Sequence, residues 1–471
     1  MDAELSQIDI ALLDFLENKY NVKKESLLYT YAKTLLQRLW QGSICIPVNE
    51  KIEDSGAVGF FVKGSDTIPA TPLIYDGENL YIQRYFVYQH MILKKMGLLQ
   101  KNHNLNIITG GPGTGKTTSL GETLAAKLKD NPDLKILLAA PTGKAAFRMN
   151  ETLKKFNNLE AKTIHRLLGT IHLSANFRHT NANPLDANII VIDECSMVDL
   201  PMMAKLLDAV PDINCHLYLL GDKNQLASVE AGSVFADICR KFENDDTVYK
   251  KRNVNFRTQD SPGIIELSDQ ILNNTIEDFN NKNVKHSEHF SFEELFDCYN
   301  GLLKAVDEKD ALNKLKVFQI LCAIKKGRNG TENINRELSY RAGKAQAKFT
   351  PIIITENNYE QNLFNGDVGV KDDDKAYFLN GTEVKIFPLL TLPGHDDAFA
   401  ITIHKSQGSE YDRVAVMYPD TEQEDDGQTI LTRELLYTAI TRARKECIIY
   451  GNRDILLNSC KREIYRASGI K

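Results

Sequence analysis

Apolar residues recur with different spacings along the chain. The first hundred residues combine a helical spacing with a strand-like one. Residues 9–19 and 27–40 carry apolar side chains at helical spacing, whereas residues 58–62 and 80–88 have the character of strands. The strand-like runs lie around the turn-rich stretches GSDTIPATP and YDGEN, without a phosphate-binding loop. We therefore predict a small mixed module over residues 1–100.

From Asn106 onward the pattern becomes a repeat of apolar strand, glycine-rich or acidic turn, and helix. Four apolar runs end at Gly110, Pro141, Asp193 and Asp222. Continuous apolar runs separated by helices are typical of a parallel sheet covered on both faces, and such sheets bind ligands at the carboxyl ends of their strands. The pattern predicts an α/β unit over residues 101–262 with its site at these strand ends.

The pattern changes again after Arg257. A helix-rich stretch runs to about Lys326, short strands and turns lie between Thr350 and Thr402, and strand and helix then return. The sequence thus predicts a second α/β unit over residues 263–471, with a small β insertion at about 350–400.

Composition is that of an ordinary globular protein, since 42% of the 471 residues are hydrophobic and 25% are charged. The net charge of −6 gives no general sign of nucleic-acid binding. Residues 101–185, however, hold 12 Lys and Arg against 5 Asp and Glu, a local +7 that leaves −13 for the rest. The chain is therefore no uniformly basic DNA-coating protein, yet one positive face remains possible.

Targeting signals and cysteine usage predict a soluble cytoplasmic protein that binds no membrane. No apolar run approaches the ~18 residues that cross a bilayer, and the first residues are acidic and mixed, unlike a signal peptide. The eight cysteines are scattered without a CxxC pair, which favours free thiols in a reducing compartment.

Residues 110–117 read GGPGTGKT and match the P-loop pattern, between an apolar strand and a helical run. The glycines let backbone N–H groups face phosphate oxygens, and the helix N-terminus adds its positive dipole end. Lys116 would reach the β and γ phosphates of ATP and Thr117 would ligand Mg²⁺; a Gly-rich turn at a helix start is the alternative. The motif predicts a nucleotide site formed by Gly110, Gly111, Pro112, Gly113, Thr114, Gly115, Lys116, Thr117 and Thr118.

Two further strand ends carry polar side chains suited to phosphate chemistry. Asp193 and Glu194 close the run NIIVIDE, where Asp193 would hold the Mg²⁺ shell and Glu194 would orient and deprotonate the attacking water. A solvated loop position for Glu194 is the alternative. Gln225 in GDKNQL follows the next strand, where its amide could sense the γ phosphate, although a polar turn is the simpler interpretation of that segment alone.

Two later arginines, Arg257 in VNFRTQD and Arg442 in YTAITRAR, are candidates for contact with the nucleotide. Phosphoryl transfer spreads negative charge over the transferred group, and an arginine delivered from another domain accelerates it by ~10³ to 10⁵. Taken alone, either arginine is more simply a surface residue. Their assignment therefore depends on the order of the motifs.

That order has a known counterpart. The chain carries, in sequence, GGPGTGKTTS, LLAAPTGKAAFRM, TIHRLLG, VIDECSMVD, LLGDKNQLASVEAGSVFADIC, NFR, ITIHKSQGSEYD and LLYTAITRAR. The series resembles the motifs of superfamily 1 DNA helicases in their 5′ to 3′ branch, over almost all of the chain from about Pro72. The resemblance implies two RecA-like P-loop motor domains with parallel sheets, a small mixed N-terminal module and an SH3-like β insertion in the second motor domain.

The resemblance also assigns roles to residues. It implies that the catalytic residues are Lys116, Glu194, Gln225, Arg257 and Arg442, that the two arginines reach ATP from the second motor domain, and that Thr117 and Asp193 hold Mg²⁺. Hydroxyls, imidazoles and backbone amides at strand ends can grip phosphates without reading bases. Lys144 and Arg148 would add phosphate contacts, while a core position for His404 is the alternative. The implied contacts to single-stranded DNA are Pro141, Thr142, Thr163, His165, Thr402, His404, Ser406 and Gln407.

The sequence departs from the family pattern at two places. Only about twenty residues separate Tyr88 from Gly110, so the glutamine that recognises adenine would have to be Gln89 or Gln100. The segment 169–186 is short, which predicts that it holds no long strand-splitting pin.

Within the family, the chain most resembles the motor subunit of a three-subunit helicase and nuclease that acts in double-strand break repair by homologous recombination. This implies ATP-dependent 5′ to 3′ movement along single-stranded DNA, two large partner subunits, one of them docked on residues 1–100, and association with the bacterial nucleoid at DNA ends. A stand-alone helicase of the same branch and a non-motor P-loop regulatory subunit are the alternatives. A nuclease role is not expected, because no convincing cluster of acidic residues and lysine is found.

Overall fold

A computed structural model of the chain describes residues 5–52, 55–154, 156, 159–172, 174–228, 230–252, 261–358, 360–380, 383–421, 424, 425 and 428–470. Within these residues the chain forms a mixed N-terminal module, two α/β units and an antiparallel β insertion in the second unit. The α/β class, with a parallel sheet in each unit, is confirmed.

The N-terminal module pairs two helices with a four-stranded sheet of order β1-β4-β3-β2. Strands β2 and β3 are parallel, and the other neighbours are antiparallel. Ser6 begins the first helix through a reciprocal capping box with Asp9, which satisfies two of its N-terminal N–H groups. The elements are α1 (Gln7–Tyr20), α2 (Leu27–Trp40), β1 (Cys45–Pro47), β2 (Val58–Phe60), β3 (Leu73–Tyr75), β4 (Asn79–Ile82) and α3 (Gln83–Lys101).

The first α/β unit is built on a six-stranded parallel sheet of order β10-β5-β9-β8-β6-β7. Its central strand IIVI is buried at every position, because helices cover both faces. Helix α3 lies in the predicted N-terminal module by sequence but joins the core of this unit through Ile92, Met96 and Leu99. The elements are β5 (Leu105–Gly110), α4 (Lys116–Asp130), β6 (Ile136–Ala140), α5 (Gly143–Leu153), β7 (Ala161–Thr163), α6 (Ile164–Leu168), β8 (Ile189–Ile192), a 3₁₀ turn (Cys195–Met197), α7 (Leu200–Ala209), β9 (His216–Gly221), α8 (Val234–Phe242) and β10 (Tyr249–Arg252).

The second α/β unit has a five-stranded parallel sheet of order β11-β22-β19-β12-β18. Its first elements are α9 (Pro262–Asn273), β11 (Val284–Ser287), α10 (Phe292–Asp297), α11 (Asn300–Leu303), α12 (Glu308–Leu315), β12 (Phe318–Cys322) and α13 (Thr331–Lys344). The insertion that follows comprises β13 (Thr350–Ile354), β14 (Val368–Lys371), β15 (Lys375–Asn380), β16 (Glu383–Pro388), a 3₁₀ turn (Leu389–Thr391) and β17 (His395–Asp397). The unit is completed by β18 (Ala400–Thr402), a 3₁₀ turn (His404–Ser406), β19 (Tyr411–Met417), β20 (Glu424–Asp425), β21 (Gln428–Thr429), α14 (Arg433–Ile440), β22 (Ala443–Tyr450) and α15 (Arg453–Lys461).

The β insertion lies where the change of pattern predicts it. Its five strands pair antiparallel in the order β16-β15-β14-β13-β17. It has a small core of its own, which includes Ile352, Ile354 and Phe378. The SH3-like character stays a prediction, as do the boundaries of the domains. In the described ranges no helix combines the length and apolar character needed to cross a membrane.

Residues 463–470, which we call the return segment, lead from the second α/β unit back to the first. They follow α15 and pack at the seam between the N-terminal module and the first unit. Ile470 is only 4% exposed there and belongs to the same apolar core as Ile44 of the N-terminal module. Hydrogen bonds fix the segment, among them Ile44 N to Ala467 O (2.9 Å), Ala467 N to Ser43 Oγ (3.1 Å), Ser468 Oγ to Asp237 Oδ2 (2.7 Å) and Gly469 N to Gln89 Oε1 (2.7 Å).

Arg466 anchors the same segment on the first unit. Its Nη1 donates to the carbonyl oxygens of Ser228 (2.7 Å), Glu230 (3.0 Å) and Gly232 (3.1 Å). The guanidinium lies so close to Gly42 that a Cβ at that position would come within 2.4 Å of its Nε. Because Gly42 also has a φ of 83°, a larger residue there would be strained on two counts.

Ile470→Ala should therefore destabilise the first unit, because Ile470 is part of its apolar core. Removing a buried branched side chain costs about 2 to 4 kcal/mol when the cavity does not collapse. We expect a lower thermal unfolding midpoint by calorimetry. Ile386→Ala is the matched control, because Ile386 is 52% exposed on the insertion and should leave the midpoint unchanged. An unchanged midpoint in Ile470→Ala would show that the return segment adds no stability.

Candidate active site

The loop between β5 and α4 is shaped to surround an anion. Gly113 and Gly115 have φ of 80° and 67°, in the left-handed region that glycine favours. Gly115 is the N-cap of α4 and has no side chain to bond the first N–H groups of that helix, which leaves them free for an anion. Lys116 is the first residue of α4, and its Nζ donates to the carbonyls of Gly110 (2.5 Å) and Gly111 (3.1 Å). The ammonium thus lies folded over the loop.

The two predicted Mg²⁺ ligands are brought together. Thr117 Oγ1 donates to Asp193 Oδ2 at 2.5 Å, although 76 residues separate them in sequence. Burial, and then the charge of Glu194, raise the pKa of Asp193, whereas Thr117 and Lys116 lower it. A hydroxyl and a carboxylate side by side at a phosphate loop are oxygen ligands of the kind Mg²⁺ takes. The residues present therefore fit this ion.

Glu194 has a strained backbone. Its φ of 55° and ψ of 40° lie in the left-handed region, which a residue with a long side chain rarely adopts. The next residues form the 3₁₀ turn Cys195–Met197, and the Glu194 N–H donates to Asp193 Oδ1 at 2.8 Å. Glu194 lines the cleft between the two units, beside Asp193 and Thr117. Strain of this kind accumulates at functional sites, where neighbouring structure holds it.

Gln225 lies at the same sheet edge, but its side-chain amide bonds to Asp222, a residue to which the motifs assign no role. Its Nε2 donates to Asp222 Oδ2 at 3.1 Å, and the same oxygen accepts from the Tyr437 hydroxyl at 3.0 Å. Burial raises the pKa of Asp222, while Lys116 lowers it. The run LYLLGD marks Asp222 as a strand end. Its partner Tyr437 is 215 residues away in the motif LLYTAITRAR, and neither motif indicates that the two residues meet.

Arg442 belongs to the second unit and is 2% exposed. Its Nε donates to Thr438 O (3.1 Å) and its Nη1 to Ser409 O (3.2 Å). Within the described part of the chain, its Nη2 has no hydrogen-bond partner. Burial lowers the pKa of Arg442, and Glu194 and Asp222 act in the opposite direction. A buried guanidinium with one unpaired donor fits an incoming phosphate.

Arg257, the other predicted arginine, lies outside the described residues. The two candidate adenine glutamines are engaged elsewhere. Gln89 is buried, donates to Tyr81 Oη (3.4 Å) and accepts from Gly469 N. Gln100 donates to Asp245 Oδ2 at 2.7 Å. Neither amide is directed at the phosphate loop by these bonds, so the adenine contact is not assigned.

A cleft of about 1010 Å³ extends from the carboxylates to the β insertion. The insertion reaches over α5 and α6 of the first unit. Lys144 Nζ donates to Gly366 O (3.2 Å), and Arg166 donates to Asn362 Oδ1 (3.3 Å). The Phe364 ring packs on Gly143 so closely that a Cβ there would come within 2.6 Å of it. The insertion thereby closes one side of a cleft whose lining includes basic residues of both units, among them Lys162, Arg166 and Arg444, together with acidic ones.

Two basic residues of α5 differ in their surroundings within this cleft. Burial, and then the charge of Arg148, lower the pKa of Lys144 to about 7, while Asp367 raises it. Burial and Arg442 lower the pKa of Arg148 to about 10, and Glu194 raises it. Arg148 therefore lies toward the carboxylates and Arg442, whereas Lys144 lies toward the insertion. Both were predicted as phosphate contacts.

The predicted DNA contacts of the first unit lie at strand ends. Thr142 caps α5 by accepting from Ala145 N (3.2 Å), and Thr163 caps α6 by accepting from Arg166 N (3.3 Å). Pro141 precedes the first cap, and His165 lies edge-on to Phe177 with ring centroids 5.8 Å apart. These four positions surround the amino ends of two helices, which favour anions.

The predicted DNA contacts of the second unit are less accessible. Ser406 is fully buried and donates to Ile403 O at 2.6 Å, and Thr402 Oγ1 accepts from Lys405 N at 3.3 Å. Gln407 donates to Leu226 O at 3.0 Å, across the interface between the units. Only His404 is exposed. A DNA contact by Ser406 or Gln407 would require this turn to rearrange, and the assignment stays a prediction.

Residues 222–226, which we call the docking turn, join the two units. Leu226 belongs to the first unit by sequence, but it is 4% exposed inside the apolar core of the second. Its N–H donates to Thr438 Oγ1 at 3.0 Å, and its carbonyl accepts from Gln407. The docking turn therefore holds the unit that carries the phosphate loop against the unit that carries Arg442.

Each of the two α/β units has a parallel sheet; one unit carries a phosphate loop and the other a buried arginine. Together they define a superfamily 1 helicase motor. Residues 97–231 match the family model described as an AAA domain, and residues 397–450 match the UvrD-like helicase C-terminal domain. The chain belongs to the RecD family, in the 5′ to 3′ branch that its motifs predict.

Two curated relatives carry that assignment. The RecBCD enzyme subunit RecD of Mycolicibacterium smegmatis is 33% identical over 416 residues, covering 79% of this chain and 72% of the relative. The RecD subunit of Buchnera aphidicola is 30% identical over 461 residues, covering 81% and 75%. The ATP-dependent RecD2 DNA helicase of Deinococcus radiodurans is 29% identical over 371 residues, covering 74% of this chain and 47% of that protein.

Among solved structures, the chain is similar to the Pif1 helicase from Bacteroides in complex with ADP-AlF3 and single-stranded DNA. The TM-score is 0.44 and the identity 18%, with 79% of this chain and 94% of that chain covered.

Proposed function

We propose that this chain is the RecD motor subunit of a RecBCD enzyme, an ATP-dependent DNA helicase that moves 5′ to 3′ along single-stranded DNA during double-strand break repair by homologous recombination. One observation supports this most directly. The phosphate loop, the Thr117–Asp193 pair and Glu194 lie together in the first unit, and the buried Arg442 of the other unit is close enough to Glu194 for their charges to interact. ATP hydrolysis in such a cleft moves the two units relative to each other.

Each side chain has a defined task in hydrolysis. Lys116 leaves the carbonyls of Gly110 and Gly111 and pairs with the β and γ phosphates, while the N–H groups of α4 hold phosphate oxygens. When bound, Mg²⁺ neutralises the charge on the phosphates, and Thr117 and Asp193 are the residues that would hold it. Glu194 orients the attacking water and accepts its proton. Arg442 places its unpaired Nη2 on the charge that develops in the transition state.

Single-stranded DNA follows the groove between the first unit and the insertion in this proposal. Lys144 and Arg166 donate there to the neutral oxygens of Gly366 and Asn362. Phosphates offer these cations stronger partners than neutral oxygens do. The caps formed by Thr142 and Thr163 add helix amino ends to the same wall. Alternating grip by the two units then converts opening and closing into steps along the strand.

RecB and RecC are the proposed partners, with RecC on the N-terminal module. One face of α1 supports this docking: Ile8 is 81% exposed and Phe15, two turns further on, is 40% exposed. Trp40 of α2 is 59% exposed and bonds Asp9 of α1 through its Nε1 at 2.7 Å. Three large apolar side chains on one small module mark a surface suited to a protein partner.

The alternatives differ in what they require. A stand-alone 5′ to 3′ helicase would need the same motor and no partner on α1. A non-motor regulatory subunit would not need Glu194 or a buried Arg442, and both are present. DNA cleavage by the complex is expected in another subunit.

The motor function is tested by unwinding of duplexes with 5′ or 3′ single-stranded tails, with and without RecB and RecC. We expect a preference for 5′ tails, and no DNA-stimulated ATP hydrolysis in Lys116→Ala, because the phosphates lose their cation. Lys129→Ala, on the exposed last turn of the same helix, should hydrolyse ATP at the wild-type rate. A preference for 3′ tails would overturn the polarity, and substantial turnover by Lys116→Ala would overturn the ATPase assignment.

Affinity for oligo-dT should depend on pH through Lys144. With its pKa lowered to about 7, Lys144 is charged below that pH and neutral above it, so affinity should fall as the pH rises from 6 to 8. Arg148, Asp367 and Arg442 are the charged groups that act on it, the two arginines lowering its pKa and Asp367 raising it. Fluorescence anisotropy at constant salt should show a smaller pH response in Lys144→Met than in wild type.

Lys162→Met is the matched control for that measurement, because Lys162 is exposed in the same cleft. It should weaken binding while keeping the wild-type pH response. An equal pH response in wild type and Lys144→Met would place the DNA elsewhere.

Assembly should depend on the exposed face of α1. Ile8→Glu puts a charge in the centre of the proposed RecC contact and should abolish co-purification with RecB and RecC. DNA-stimulated ATP hydrolysis by the free chain should be unchanged. Ile213→Glu, at a position of the first unit that is 68% exposed, should co-purify normally. Normal assembly of Ile8→Glu would exclude this face.

A further inference from the structure

Tyr437 occupies a position that the hydrolysis steps above do not use. It lies in α14, five residues before Arg442, and its side chain is 4% exposed. Its hydroxyl donates to Asp222 Oδ2 of the first unit at 3.0 Å. A Cβ on Gly111 of the phosphate loop would come 3.0 Å from the same hydroxyl. One phenol of the second unit thus contacts the strand-end acid and approaches the phosphate loop of the first.

The chemistry of the pair favours a directed hydrogen bond. Burial, with the Asp222 charge, raises the pKa of Tyr437, so its hydroxyl keeps the proton and donates it. Asp222 is 2% exposed and also accepts from Asn224 N at 3.0 Å. A hydrogen bond from a neutral donor to a buried carboxylate is stronger than one between neutral groups.

The last turn of α14 is fixed to the first unit at two neighbouring residues. Beside the Tyr437 bond, Thr438 Oγ1 accepts from Leu226 N at 3.0 Å. The backbone carbonyl of Thr438 in turn accepts from Arg442 Nε at 3.1 Å. The contacts therefore form a short chain, from the docking turn through Tyr437 and Thr438 to the guanidinium whose Nη2 is unpaired.

We propose that Tyr437 is a positioning residue for ATP hydrolysis: its bond to Asp222 docks the end of α14 on the first motor domain and so aims Arg442 at the transferred phosphate. The inference rests on the proposed ATPase function. Tyr437 touches no reacting atom; it acts through Arg442. A misplacement of a catalytic group by about 1 Å can cost as much as 10²-fold in rate.

Tyr437→Phe removes only the hydroxyl and keeps the ring in its pocket. Because Arg442 acts on charge that develops in the transition state, we expect kcat for DNA-stimulated ATP hydrolysis to fall about tenfold while KM for ATP changes less than about twofold. Tyr299→Phe is the matched control. Tyr299 is equally buried, and its hydroxyl donates to Phe399 O within the second unit. It should lower thermal stability as much as Tyr437→Phe does, with kcat unchanged.

A double-mutant cycle separates positioning from general loosening of the interface. If Tyr437 acts through Arg442, adding Tyr437→Phe to Arg442→Ala should lower kcat no further. Multiplying effects in the double variant, an unchanged kcat in Tyr437→Phe, or an equal loss in Tyr299→Phe would each overturn the inference. A wild-type chain that hydrolyses no ATP would instead overturn the proposed function, so the two failures are distinguishable.

Discussion

The geometry of the site depends on one small contact, the insertion of the docking turn into the second motor domain. Leu226 is buried among apolar side chains of the other unit, and its backbone N–H and carbonyl both bond across the interface. Burying one leucine is worth about 1.5 to 3 kcal/mol. The strand that carries Asp222 into this turn lies beside the phosphate-loop strand, so movement at the interface reaches the nucleotide directly.

The sequence predicts those parts of the site that depend on local chain geometry. A phosphate loop is set by its own glycines, and the meeting of Thr117 with Asp193 follows from parallel strands ending at one edge. The sequence does not predict pairs of residues that meet between the two units. Tyr437 and Asp222 are 215 residues apart, and the motif around each residue does not predict a contact with the other. The same limit applies to Gln89, whose amide meets Gly469 at the far end of the chain.

The basic residues of segment 101–185 include three whose side chains are held in place while they keep their positive charge. Lys116, Lys144 and Arg166 all donate to neutral oxygens of backbone or amide groups. Such bonds hold long side chains in place without cancelling their charge, which a carboxylate partner would do. The acidic surplus lies in the rest of the chain, so attraction for a polyanion is concentrated along one narrow path. A net charge of −6 is compatible with a motor that holds a nucleic-acid strand in one groove.

The return segment changes what kind of motion the two domains can make. The docking turn is one attachment between the two motor domains, and the return segment is a second, through Arg466 and Ile470. Two attachments leave the domains fewer ways to move relative to each other than one attachment would. The return segment therefore restricts how the cleft can open.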